Sequence, residues 1–215
     1  LVNEITPRIE YTMNLVFNEI MGIPYSLSAV QSDFERSRNQ KINYTRHEIS
    51  GCLQIMPSGL LSESGLTDHV IEIGKWKDIP TLFAGGNNDI PFDIFSAIFY
   101  LVSRYEEYLP FDADAYGRFE ADQSLAFRNN FLHIPVVDLW CLQLARELNI
   151  LKYCTSLKTD NYNFSLTIDI DQAWMFRHHS KKRLLHRFSS FRIIRILLIR
   201  QPRFITRCIN RPGSS

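Results

Sequence analysis

The chain has 215 residues, 45% hydrophobic and 13% aromatic, which is enough apolar side chain for a packed core and argues against disorder. Its formal charge of +1 conceals a split: residues 1–171 hold all 23 acids against 13 Lys and Arg, whereas residues 172–215 hold 11 Lys and Arg and no acid. No run approaches the roughly 18 uninterrupted apolar residues of a membrane span, and residues 1–10 lack the basic-then-apolar order of a secretion signal.

Residues 7–22 read as the first helix. Ile9, Met13, Val16 and Ile20 recur at three- and four-residue spacing, Pro7 suits the first turn, and Gly22 supplies the stop. Residues 25–30, 41–45 and 52–56 are short strand candidates between polar or Gly/Pro breaks. Residues 69–73 and 81–83 add two more around a bend at 76–80. The loop Gly85-Gly86-Asn87-Asn88 precedes a helix, as phosphate-cradling loops do. No GxGxxG or GxxxxGK signature accompanies it, and Asp89 and Asp93 would repel an anion, so it reads as a plain loop.

Residues 91–109 give the clearest helical pattern. Phe92, Phe95, Ile98, Phe99, Val102, Tyr105 and Leu109 form a wide apolar stripe, with Asp89 as the expected N-cap and Asp93 complementing the helix dipole. Pro110 ends the segment. Arg104, Glu106, Glu107, Asp112, Asp114, Arg118 and Asp122 then crowd charge into twenty positions. Two readings stand: a carbohydrate- or metal-binding loop, or a helix end followed by a solvated acidic loop. Residues 131–134 read as a strand and residues 136–148 as an amphipathic helix built on Val137, Trp140, Leu144 and Leu148. Residues 155–162 form a polar connector, which divides the chain into an N-terminal mixed α/β domain, 1–158, and a second segment, 159–215.

The second segment opens on Phe-Ser-Leu-Thr-Ile-Asp-Ile-Asp at 164–171, an apolar β-branched run ending in Asp169 and Asp171. In a strand, positions i and i+2 share a face, so both carboxyls would point the same way at a sheet end, where α/β proteins place metals and substrates. Two like charges so close call for a cation or donors between them; a strand running into a solvated Asp-rich turn is the plainer alternative. Residues 188–199, with Arg192 and Arg195 three apart in an apolar majority, predict a basic amphipathic helix. Packing by its apolar side on a domain, or on a partner domain, is the preferred reading over binding to nucleic acid or an anionic membrane surface. No specific nucleic acid is expected, and a membrane surface is the open alternative for the tail.

Cys52, Cys141, Cys154 and Cys208 form no C-x-x-C pair and read as reduced, buried thiols of a cytoplasmic protein. The histidines (His47, His69, His133, His178, His179, His186) make no H-E-x-x-H or H-x-x-x-H pair. Asp138 and His133 suggest a nucleophilic triad, but no serine sits in a nucleophile elbow.

Taken together, Pro-Phe-Asp-Ile-Phe at 91–95, Phe-Tyr-Leu-Val-Ser-Arg-Tyr-Glu-Glu-Tyr-Leu-Pro at 99–110, Gly-Arg-Phe at 117–119, Ile-Pro-Val-Val-Asp at 134–138 and Thr-Ile-Asp-Ile-Asp at 167–171 resemble one bacterial family. These are the polysaccharide deacetylase-like proteins of Bacteroidetes, in which an uncharacterised N-terminal domain precedes the catalytic one. The resemblance implies that a distorted (β/α) barrel begins near residue 162. It implies Asp169 as general base and Asp171 as ligand of a divalent metal, zinc by preference, in a hydrolase of N- or O-acetylated polysaccharides or oligosaccharides. The family pattern has adjacent acids where Ile170 here separates two. The family's H-x-x-x-H segment is missing from the 44 residues after Asp171. This stretch alone is therefore expected to be an inactive opening portion that needs the rest of its catalytic domain. The competing expectation is a non-enzymatic carbohydrate- or protein-binding module that uses the region from Arg104 to Asp122.

Overall fold

The computed structural model describes residues 1–85 and 89–157, all in the first of two units, Leu1–Tyr162 and Asn163–Ser215. The strand expected to end in Asp169 and Asp171, the basic helix expected at 188–199, His178, His179, His186, Cys208 and loop residues 86–88 lie outside the described residues. So does the expected barrel opening.

Helix α1 (Pro7–Met13) starts where Thr6 Oγ1 accepts from the Ile9 amide, with Pro7 at the first turn, where its missing N–H costs nothing. The helix continues as a π-helical stretch, Asn14–Ile20, and Gly22, at φ +66°, ends it as the sequence suggests. A Cβ on Gly22 would fall 2.1 Å from Thr155 Oγ1, so the close approach of the 155–156 segment also demands glycine. Residues 25–30, expected as a strand, form none. Val2 N–H bonds to Ser28 O, while Ser28 Oγ accepts from the Val30 amide and turns the chain into α2 (Gln31–Arg36).

Strands β1 (Ile42–Asn43) and β2 (Leu53–Gln54) pair in parallel. Strands β3 (Gly74–Trp76) and β4 (Ile79–Thr81) form a hairpin with Trp76 opposite Ile79. Its two-residue turn, Lys77-Asp78, has φ +50° and +66°, the both-positive pattern that matches the twist of the flanking strands. The expected strand at 69–73 is irregular chain, and the one at 81–83 belongs to β4 only through Thr81. The α/β class thus holds at a coarse level, as helices with two very small sheets among the described residues.

Helix α3 (Ile94–Val102) is shorter than the apolar stripe suggests. Asp93, not Asp89, caps it, taking the Ser96 amide at 3.0 Å. At the other end Arg104 adopts left-handed φ +55°, ψ +43°, and Tyr105–Tyr108 follow as a 3₁₀ turn. Residues 131–134 make a turn rather than a strand, because Asn130 at φ +58° ends the short helix α4 (Leu125–Arg128) and the Phe131 amide bonds back to Ala126 O. Helix α5 (Val136–Glu147) matches expectation.

The core is aromatic. Trp140 of α5 is fully buried and packs at a tilt against Phe92 at 5.4 Å, which meets Trp76 at 5.8 Å. Trp140 Nε1–H donates to Pro80 O at 2.9 Å, satisfying the polar edge of a buried indole. Arg8 ties α1 to the loop that follows β2. It donates to Leu60 O and Gly65 O, with its guanidinium 5.4 Å from the centre of the Phe99 ring and 5.6 Å from that of Tyr105.

Candidate functional site

Two groups of polar side chains stand out, and they differ in how far their bonding capacity is used. The first is interior. Asp93 is fully buried; its Oδ2 accepts from Tyr44 Oη at 2.8 Å and from the Ser58 amide at 2.7 Å, while Oδ1 caps α3. Ser58 Oγ donates to Ser96 Oγ at 3.0 Å. Burial first, and the neighbouring Asp93 second, hold the Tyr44 phenol well above its usual range, so it stays a neutral donor. This network joins the residue after β1, the loop at Ser58 and the start of α3, and each of its groups already has a partner. Asp93 is a structural pin, a larger task than the dipole partner the sequence suggests.

The second group surrounds a surface pocket of about 520 Å³. Arg104, Glu106 and Glu107 come from the 3₁₀ turn after α3, Phe119 from the acidic loop, and Ile134, Val137 and Asp138 from the start of α5. Three sequence blocks that lie far apart in the chain therefore meet on one cavity. Arg104 binds Glu107 through both its Nε, at 2.5 Å from Oε1, and its Nη2. Glu106 Oε2 accepts from the Leu125 amide at 2.8 Å, so one carboxyl both lines the pocket and caps α4. Desolvation raises the Glu106 carboxyl above its ordinary range, against the opposing pull of that hydrogen bond. Asp138, in the first turn of α5, is exposed and has no hydrogen-bond or ion-pair partner among the described residues. Phe119 packs edge-on against Phe111 at 5.3 Å.

One of the six left-handed non-glycine residues among those described, Arg104, lies at the same corner. Among the described residues Ser103 Oγ, next to it, is the one buried side-chain oxygen or nitrogen without a partner. The pocket can offer carboxyl acceptors, a guanidinium already aligned by Glu107, and a phenyl ring.

The remaining loop residues are structural. Asp114 accepts from the Tyr116 and Arg118 amides and pairs with the Arg118 side chain at 2.8 Å; the Arg118 backbone bond, above all, holds its carboxyl below the usual range. The charged region is thus divided: Arg104, Glu106 and Glu107 face the cavity, while Asp114 and Arg118 brace a turn. Cys141 is fully buried, its thiol pushed up to about 12 by desolvation, and Cys52 is half-buried; neither forms a disulfide. His133 is exposed on the turn before α5, and among the described residues no hydrogen bond joins it to a serine or to Asp138. His69 instead pairs with Glu63 at 3.1 Å. Among the described residues no three His, Cys, Asp or Glu side chains are grouped as a metal site would require, and no helix is long and apolar enough to cross a membrane. Asp169 and Asp171 lie outside the described residues.

Composition and spacing do not single out Asp138 as a pocket residue. The hint was in the resemblance blocks, which contain it, but their convergence depends on the fold. Among curated proteins and among solved structures none matches the chain. A family model described as a family of unknown function, DUF7033, matches residues 1–152, and the chain belongs to that family.

Proposed function

Since the chain is a member of a family with no assigned function, we propose that residues 1–158 form a carbohydrate-recognition domain that precedes a metal-dependent, polysaccharide deacetylase-like hydrolase segment starting at 159. One observation carries this reading. The blocks at 99–110, 117–119 and 134–138, three of those on which the family resemblance rests, converge on a single pocket that presents carboxyls, a guanidinium and an aromatic ring. That chemistry suits a sugar: vicinal hydroxyls donate to carboxyl oxygens and accept from guanidinium N–H, and the apolar face of the pyranose rests on a ring.

In this domain the residues bind and orient. Glu107 fixes the Arg104 fork, Glu106 and Asp138 accept from hydroxyls, and Phe119 supplies the apolar contact. By the resemblance, Asp171 would hold a divalent metal such as zinc and Asp169 would act as base. The metal, when bound, would polarise an acetyl carbonyl and activate water.

Two measurements test the two halves. Asp171→Ala in the full-length protein should abolish metal-dependent release of acetate from acetylated oligosaccharides; retained release would remove Asp171 from the metal site. Arg104→Ala with Asp138→Asn should weaken retention on acetylated glycans while leaving the thermal transition in place. Unchanged retention would remove the pocket from recognition.

A further inference from the structure

A second cavity, about 770 Å³, lies among α1, its π-helical continuation, α2, β1 and the chain after α5. It shares no lining residue with the charged pocket, and its size falls within the range of small-molecule sites.

Its wall is a continuous run of rings from the surface inward. Tyr25, 37% exposed, packs on Phe17 at 5.6 Å; Phe17 meets Phe95 at 6.1 Å; Phe95 meets Tyr44 edge-on at 5.2 Å. Aliphatic side chains complete the interior, among them Met13, Ile42 and Leu148. Phe17 is presented by the π-helix Asn14–Ile20, a rare backbone form that recurs at functional sites.

The mouth is polar, and its charged groups already have contacts: the Leu1 ammonium, which also lines the cavity, donates to Ile42 O at 2.7 Å. Lys41 Nζ lies 5.3 Å from the centre of the Phe34 ring and donates to Glu35 O, and Asp33 pairs with Arg36 at 3.8 Å. The side-chain amides of Asn39 and Gln40 are exposed there without a hydrogen bond to any described residue. We propose that this cavity binds an amphipathic molecule with one aliphatic chain, taken up along the aromatic wall, and an uncharged hydroxylated head held at the amide-lined mouth. Hydroxyls can bond to both the donor and the acceptor ends of these amides as they stand.

The test uses the full 215-residue chain and calorimetric titration with hexyl, heptyl and octyl β-glucoside below their micelle-forming concentrations. Saturable one-to-one binding is expected, tightening about fourfold per added methylene as apolar surface is buried, with free glucose silent. Leu27→Trp, which puts an indole in place of an aliphatic lining residue, and Tyr25→Ala, which opens the mouth, should each weaken octyl glucoside at least tenfold. Tyr25 is exposed, so its variant is expected to keep the wild-type thermal transition. No saturable binding, affinity indifferent to chain length, or full affinity in folded Tyr25→Ala would overturn the assignment. Octyl sulfate binding as tightly as octyl glucoside would overturn the uncharged head.

Discussion

The interior around Asp93 and the rim around Arg104 both hold acids and hydrogen-bond donors, yet they spend them differently. Asp93 has no exposed surface and uses both oxygens on three donors from three segments. At the rim, Glu106 spends one oxygen on the α4 cap, Glu107 is tied to Arg104, and Asp138 is bonded to nothing described. A polar group buried without partners costs more than it returns, so interior groups are saturated and serve stability. A rim group in water can keep capacity in reserve, and that reserve is what a ligand can use. Changes inside should therefore move stability, and changes at the rim should move binding.

The largest effect is expected at the centre of the core. Trp140→Ala removes a fully buried indole and its bond to Pro80 O, and denaturant unfolding should show a loss of about 3–5 kcal/mol. Asp93→Ala comes next, because Tyr44 Oη and the Ser58 and Ser96 amides all lose their acceptor. A loss of about 2–3 kcal/mol is expected, with Asp93→Asn recovering part of it through its remaining oxygen. If Asp93→Ala altered glycan retention and left stability intact, the division between interior and rim would fail.

Glu106 straddles the two regions and sharpens the comparison. Glu106→Ala removes the acceptor for the Leu125 amide and should cost about 1 kcal/mol. Glu106→Gln keeps an oxygen there and should restore stability. Glycan retention should recover less fully, since an amide is a weaker acceptor for hydroxyls than a carboxylate.

The smallest effects are in pH dependence, and their signs oppose. Glu106 titrates above its ordinary 4.5 in the fold, so the folded state holds its proton longer. Stability should decline as pH rises through the window just above 4.5, a decline that Glu106→Gln removes. Glu147 is held below 4.5, chiefly by the hydrogen bond from Lys77. Its contribution is complete above that value and fades as pH falls through the folded pKa. Because Lys77 is half exposed, screening limits this to about 0.5 kcal/mol. Thermal melts of Glu147→Gln against the parent between pH 3 and 7 would show it.

The helices at residues 7–22 and 136–148 were legible because their apolar spacing agrees with how they pack. The π-helical register at Asn14–Ile20 leaves the same apolar face and could not be read from spacing. The apolar stripe at 91–109 predicts a longer helix than forms: it continues through Tyr105, which is buried, although the backbone has already turned at Arg104. Phe131 and Ile134 suggested a strand because buried apolar clusters read alike in turns and strands, and only the left-handed Asn130 separates the two cases. For the site, the charged block from Arg104 to Glu107 was visible in the sequence. Its meeting with Phe119 and Asp138 was not, since it depends on how α4 returns the chain to α5.

The most direct test is calorimetric titration of the full chain with N-acetylated oligosaccharides, beside Arg104→Ala and Asp138→Asn variants whose thermal transitions match the parent. Binding by the parent that falls at least tenfold in either variant is the predicted result. Equal binding by all three, or none by the parent, would contradict the assignment of the rim pocket to sugar recognition.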